Sequence, residues 1–202
     1  MFEKIDFFFF GWIINWLYPQ YYRPKYGYQR YYILFFHYLI PQKLLRLNPK
    51  VKWPVHFTSK VLAPENITKG ILCDPGDNIN NYIQANNGII FGSNIELGPG
   101  VSIISSNHKA NNLREHTKGK PITIGNNVWI GASSTVLPKV SIGDNVIIGA
   151  NSLVNKDIPS NSVAVGNPCK IIKQKEPYTE DLSAIIFNKQ LPKKFTEFLN
   201  LK

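Results

Sequence analysis

Histidine is the side chain whose charge changes nearest neutral pH, and this sequence has four of them: His37, His56, His108 and His116. His108 ends the run Ser105-Ser106-Asn107-His108 and precedes a polar stretch, residues 109–123, rich in Lys and Asn. A neutral imidazole in such a place can act as a general base. Upstream, Asn80, Asn81, Gln84, Asn86 and Asn87 gather amides that both donate and accept hydrogen bonds. Such a set suits a polyhydroxylated ligand or, with no ligand at all, a ladder between stacked turns. Downstream, Lys156, Lys170 and Lys173 offer cations for an anionic group, or form a solvated basic tail. Cys73 and Cys169 are far apart and make no CxxC pair, which argues against a disulfide framework or zinc ribbon and for a reducing compartment.

The element that must position these groups shows in a six-residue beat. Stepping from Val55 gives Val61, Ile67, Cys73, Ile79, Ala85, Phe91, Leu97 and Ile103, all apolar. The beat lapses over residues 109–123 and resumes at Ile124, Ile130, Val136, Ile142, Ile148 and Val154. Glycine follows it at Gly92, Gly98, Gly125, Gly131, Gly143 and Gly149. Neither a period-2 strand nor a 3.6-period helix has this pattern. It predicts short strands separated by tight corners, with aliphatics pointing inward and glycine tolerating a crowded or positive-φ corner. Three faces close one coil of about eighteen residues, and residues 55–173 supply about five coils stacked by parallel pairing. A long interruption in so regular a domain is expected to be functional.

With the segment Ile122–Ala132 (ITIGNNVWIGA) after the interruption and Gly166-Asn167-Pro168-Cys169-Lys170 near the end, the chain resembles the hexapeptide-repeat acyltransferases, nearest to the polysaccharide and sugar O-acetyltransferases. The resemblance implies a left-handed parallel β-helix, against the general right-handed preference of parallel crossovers. It also implies an acetyl-CoA-dependent O-acetyltransferase with His108 as base and direct transfer to a hydroxyl. The Ala132 N–H would face the oxyanion. Trp129 would line the acetyl site, or else shield a subunit seam. Ala150 would contact the pantetheine arm, and Lys156, Lys170 and Lys173 the phosphates. Lys170 stands where many members carry Arg, so its phosphate contact lacks the bidentate fork. The implied assembly is a homotrimer with sites at its seams and no metal. An eighteen-residue count puts Ile90 one coil below His108, leaving a backbone carbonyl or another subunit to orient the ring.

The flanks read differently. Residues 1–54 are aromatic and basic, with helix-like spacing over 26–48 that Pro41 interrupts. Residues 7–17 (FFFFGWIINWL) follow Glu3 and Asp6, lack a cleavage site and are too short to cross a bilayer. They either pack on the main domain or give peripheral membrane contact. Residues 174–202 predict a helical tail, with Thr179 as an N-cap. The net charge of +10 comes with no nucleic-acid motif, so a sugar or glycan acceptor is expected rather than nucleic acid. A cytoplasmic enzyme acting on a surface polysaccharide or its precursor is the first reading. A small free or nucleotide-linked sugar or an antibiotic as acceptor, and a non-catalytic scaffold, are the alternatives.

Overall fold

The computed structural model describes residues 5–18 and 30–179, in two units that divide at Phe57 and Thr58. The helices expected beyond Thr179 lie outside the described residues.

In the larger unit the chain winds as a three-sided prism of parallel strands. The first face stacks β1 (Lys60–Leu62), β3 (Tyr82–Gln84), β6 (Ser102–Ile104), β11 (Thr135–Val136) and β14 (Leu153–Val154). The second stacks β2 (Ile67–Thr68), β4 (Ile89–Phe91), β9 (Ile122–Ile124) and β12 (Ser141–Ile142), extended by a bridge from Ile142 to Ile158. The third stacks β5 (Ile95–Leu97), β10 (Val128–Ile130), β13 (Ile147–Ile148) and β15 (Ser162–Val165). On the first face Ile83, Ile103, Val136 and Val154 form a fully buried column, while the three-residue strands of the other two faces bury both end residues, Ile95 and Leu97 on β5 for example. The open edge of β15 is covered by an antiparallel strand, β16 (Lys170–Gln174), which blunts an edge that would otherwise recruit another chain.

The six-residue beat governs Phe91 to Val154 but not the first coil. Pairing there joins Val61 to Ile83, twenty-two residues on, and Ile83 to Ile103, twenty residues on. Only from Val136 to Val154 does the eighteen-residue coil appear on this face. Ile79, which the beat assigned to the core, is therefore exposed, and Ile83 takes its place. Val55 belongs to the other unit.

At the corners the glycines after the beat meet the crowding expected of them, while their φ is not positive. Positive φ falls on asparagines: Asn94, Asn127, Asn145 and Asn161 recur at one corner. Their side chains bond coil to coil, Asn94 Nδ2 to Asn127 Oδ1 at 2.9 Å and Asn145 Nδ2 to Asn161 Oδ1 at 2.7 Å. Asparagine is the non-glycine residue best suited to that backbone region. The glycines after the beat serve close approach instead: a Cβ on Gly131 would lie 2.5 Å from the Ala150 nitrogen.

In the smaller unit α1 spans residues 7–17, with π geometry over Phe7–Gly11 and α over Trp12–Leu17. The next helix, α2, spans residues 31–44, α over Tyr31–Ile33 and π over Leu34–Leu44. Pro41 lies inside α2, so the expected interruption takes the form of wider turns rather than a break. Ile14, Tyr18, Leu34, Tyr38 and Leu39 form the core between the helices. Buried Gln42 accepts from the Tyr18 hydroxyl at 2.8 Å and donates to the carbonyls of Val51 and Trp53.

Candidate active site

After β6 the wall of the prism opens. Ser105 and Ser106 are buried, and Gln84 on the coil below holds the second of them at both backbone atoms. Its Nε2 donates to the Ser106 carbonyl at 3.0 Å and its Oε1 accepts from the Ser106 N–H at 3.0 Å. Asn87 spans the opening, its Nδ2 donating to the carbonyls of Ser105 at 3.0 Å and Thr117 at 2.8 Å. Thr117 N–H donates to the Asn107 carbonyl at 2.7 Å. Both feet of the excursion are thereby tied to the prism and to each other.

Between the feet, β7 (His108–Lys109) and β8 (Asn112–His116) form an antiparallel hairpin with His108 opposite His116. The two imidazoles lie 4.5 Å apart, tilted by 35°. Lys109 and Glu115 pair across the hairpin, and every residue from 107 to 116 is exposed. The excursion thus begins at His108 itself, and residues 122–123, which the sequence reading included in it, already belong to β9. The twenty-residue register (Gln84 to Ile104) also removes Ile90 from beneath His108; Ile90 sits on β4 between Thr68 and Thr123.

The amide cluster divides. Asn81 is buried and donates to the Gly98 carbonyl at 2.8 Å. With Gln84 and Asn87 it bonds the backbone of neighbouring coils, the second of the two roles expected for this cluster. Asn80 and Asn86 are exposed, and Asn80 occupies a positive-φ corner. No sequence pattern signals this division, because the coil length around Gln84 departs from the beat.

The remaining candidates lie along two edges of the prism. At the edge where the third face meets the first, Ala132 and Ala150 follow β10 and β13 on successive coils, and Lys170 pairs with Val165 on the next. The Ala132 carbonyl accepts from Asn151 N–H at 2.8 Å, while its N–H donates to no group among the described residues. Trp129 stands on the outer side of the third face, 53% exposed, between Glu96 and Ile147. Burial raises the Glu96 carboxyl above its ordinary value. Lys173 lies opposite Val163 on that face. At the edge where the first face meets the second, His108 follows β6 and Lys156 follows β14. Between them Lys139 follows β11, a cation that the sequence reading passed over. Ala132 aligns with Pro99 in the stack, about six residues before Ser105, so the two edges are roughly 15–20 Å apart at about 3.3 Å per residue. One copy of the chain does not bring His108 to Ala132.

Elsewhere His37 and His56 pack edge to face at 5.6 Å in the smaller unit, with His56 lowered by burial and then by His37. Cys73 and Cys169 are free, and burial raises both thiols, which disfavours the thiolate a nucleophile needs. Among the described residues no group of three metal-ligating side chains gathers.

Residues 121–156 match the family model described as bacterial transferase hexapeptide (six repeats). Galactoside O-acetyltransferase of Escherichia coli (strain K12) is 43% identical over 89 residues, 43% of this chain and 44% of that protein. Galactoside O-acetyltransferase of Lactococcus lactis subsp. lactis (strain IL1403) is 40% identical over 120 residues, 58% of this chain and 51% of that protein. A solved galactoside acetyltransferase in complex with coenzyme A is 34% identical, with a TM-score of 0.50, over 61% of this chain and 68% of the other. The chain belongs to the hexapeptide-repeat sugar O-acetyltransferase family.

The prism is therefore that family's left-handed parallel β-helix. Shared identity covers about half the length of the curated relatives it matches. The edge carrying Ala132, Ala150 and Lys170 fits the family's thioester donor chemically. It has an unsatisfied amide for an oxyanion, small side chains along an extended arm, and a cation for phosphate.

Proposed function

We propose that the protein transfers an acetyl group from acetyl-CoA to a sugar hydroxyl, with His108 as general base. The observation that carries this reading is the hairpin: ties at Gln84, Asn87 and Thr117 fix the feet of the segment that presents an exposed imidazole at the long break in the coil stack. In the step, the acceptor oxygen attacks the thioester carbonyl carbon while its proton passes to His108. The Ala132 N–H faces the developing oxyanion. As the tetrahedral centre collapses, the C–S bond breaks and the leaving thiolate takes the proton back from the imidazolium. Trp129 lines the acetyl end, Ala150 the pantetheine arm, and Lys156, Lys170 and Lys173 the phosphates.

The two-edge arrangement supports a homotrimer in which the His108 edge of one copy meets the Ala132 edge of the next. Exposed Leu113 on the hairpin and Trp129 on the third face are the apolar groups such a seam would cover. The acceptor we infer is a surface polysaccharide or its precursor, handled on the cytoplasmic side of a membrane. A small galactoside is the second reading, favoured by the names of the relatives. An acceptor screen with labelled acetyl-CoA, run on the full chain and on His108→Ala, tests both. Label should pass to a saccharide in the parent only; transfer at parental rate by the variant would remove the assignment of the base.

A further inference from the structure

The aromatic run at residues 7–17 has no part in the acetyl-transfer reading. Its buried side is small: Gly11, Ile14 and, just beyond, Tyr18. Its outer side carries Phe8, Trp12 and Trp16 at successive i, i+4 positions, 72%, 63% and 67% exposed, with Phe9 beside them. The surface continues onto α2 through ring contacts: Phe8 meets Phe9 at 5.2 Å, Phe9 meets Phe10 at 6.5 Å, and Phe10 meets Phe36 at 5.7 Å. Phe36 is itself exposed. A folded chain rarely leaves so contiguous an aromatic surface to water without a partner.

Charge identifies the partner. The described residues of this unit hold five cationic side chains and one carboxylate. The carboxylate, Asp6, is buried and accepts from the backbone N–H groups of Tyr31 and Tyr32 at 2.9 and 2.8 Å. Lys43, Arg46, Lys50 and Lys52 are exposed and interleave with exposed Leu44, Leu45 and Leu47. Exposed rings and exposed cations on one unit suit a surface whose interior is hydrocarbon and whose headgroups are anionic. At 1.5 Å per residue either described helix reaches only about 20 Å of the roughly 30 Å that a span requires. No helix among the described residues is long and apolar enough to cross a membrane. Tryptophan is the side chain most at home at headgroup depth.

We propose that α1 and α2 lie flat in the headgroup region of an anionic bilayer, with Phe8, Phe9, Trp12 and Trp16 inserted and Lys43, Arg46, Lys50 and Lys52 on the lipid phosphates. This deepens the proposed function, on which it rests only for its purpose: the docked enzyme meets a sugar acceptor carried on lipid.

Flotation of the full chain with vesicles tests it, comparing phosphatidylcholine alone with phosphatidylcholine holding about 30% phosphatidylglycerol. The parent should float with the anionic vesicles at least tenfold more than with the neutral ones. Salt should weaken that binding, and tryptophan emission should shift to the blue. Two variants at exposed positions, Phe8→Ser/Phe9→Ser/Trp12→Ser and Lys43→Gln/Arg46→Gln/Lys50→Gln/Lys52→Gln, should each lose at least tenfold in binding. Both should keep transfer to a soluble sugar. Absence of flotation by the parent, or equal flotation by the aromatic variant, overturns the proposal. So does a smaller oligomer for the aromatic variant in vesicle-free solution, which would assign the stripe to a second copy. Flotation without transfer to any sugar would instead count against the acetyltransferase reading alone.

Discussion

At the scale of single residues, the hairpin that carries His108 is tied at its feet by groups that do not bond the imidazole. Replacing it with alanine should lower kcat by 10²-fold or more while leaving acetyl-CoA affinity unchanged, as expected for loss of a proton acceptor. Steady-state kinetics together with a binding titration check both halves. Gln84 and Asn87 act through the backbone at residues 105–106 and 117. Gln84→Ala would strand the buried Ser106 N–H and carbonyl, at a cost of about 1–3 kcal/mol for each unsatisfied group. The expected signature is a fall in kcat of roughly tenfold with little change in acetyl-CoA affinity, since the reacting geometry loosens. An equal rise in KM for both substrates with kcat unchanged would assign Gln84 to binding instead. The place of His108 at the break was legible in the sequence, because the segment that follows the break is specific. The role of Gln84 was not, since an amide looks the same on paper whether it faces a sugar or a carbonyl. Only the twenty-residue register brings it to Ser106.

Whole coils show where sequence reading succeeded and why it stopped. From Phe91 to Val154, outside the excursion, every position on the beat is an inward residue, and the beat can be read directly. The first coil has longer connections, twenty-two residues from Val61 to Ile83, so a fixed step drifts off the core. Of the two reasons for glycine at the corner, crowding and positive φ, the stack uses the first: the missing Cβ. Gly131→Ala should therefore destabilise the prism by roughly 1–3 kcal/mol through overpacking against the backbone of Ala150, read as a lower urea midpoint. The first coil also carries a pH dependence. Burial, aided by Asp74 and Glu96, raises the Asp77 carboxyl well above its ordinary value. In the window between the ordinary carboxylate value and that raised value, the native state holds a proton that the unfolded chain has released. Stability therefore falls as pH rises through the window. Asp77→Asn keeps an oxygen acceptor for the amides of Asp77 and Asn78 and removes the charge. Its stability relative to the parent should improve between about pH 5 and pH 8, measured by urea midpoints; parallel curves would show that Asp77 titrates as an exposed carboxylate does.

For the molecule as a whole, the decisive feature is that His108, the proposed base, and the amide proposed for the oxyanion lie on different edges of one prism. No rotation of side chains closes a gap of roughly 15–20 Å, so the proposed chemistry calls for two copies, each lending one edge. Only the family resemblance led the sequence to suggest this, because the edge a residue occupies depends on coil lengths that the beat does not specify. Two defects on opposite edges make the point testable. His108→Ala removes the base; Ala150→Trp fills the other edge at an exposed position and obstructs the thioester arm. Each variant alone should be inactive. When the two are unfolded, mixed in equal amounts and refolded together, a seam is native wherever the intact His108 of one copy meets the intact Ala150 edge of its neighbour. Random assembly gives that pairing at about a quarter of all seams, so the mixture should recover about a quarter of the parental rate. Were both halves of the site on one chain, every copy would carry a defect and mixing would recover nothing, whatever the oligomeric state.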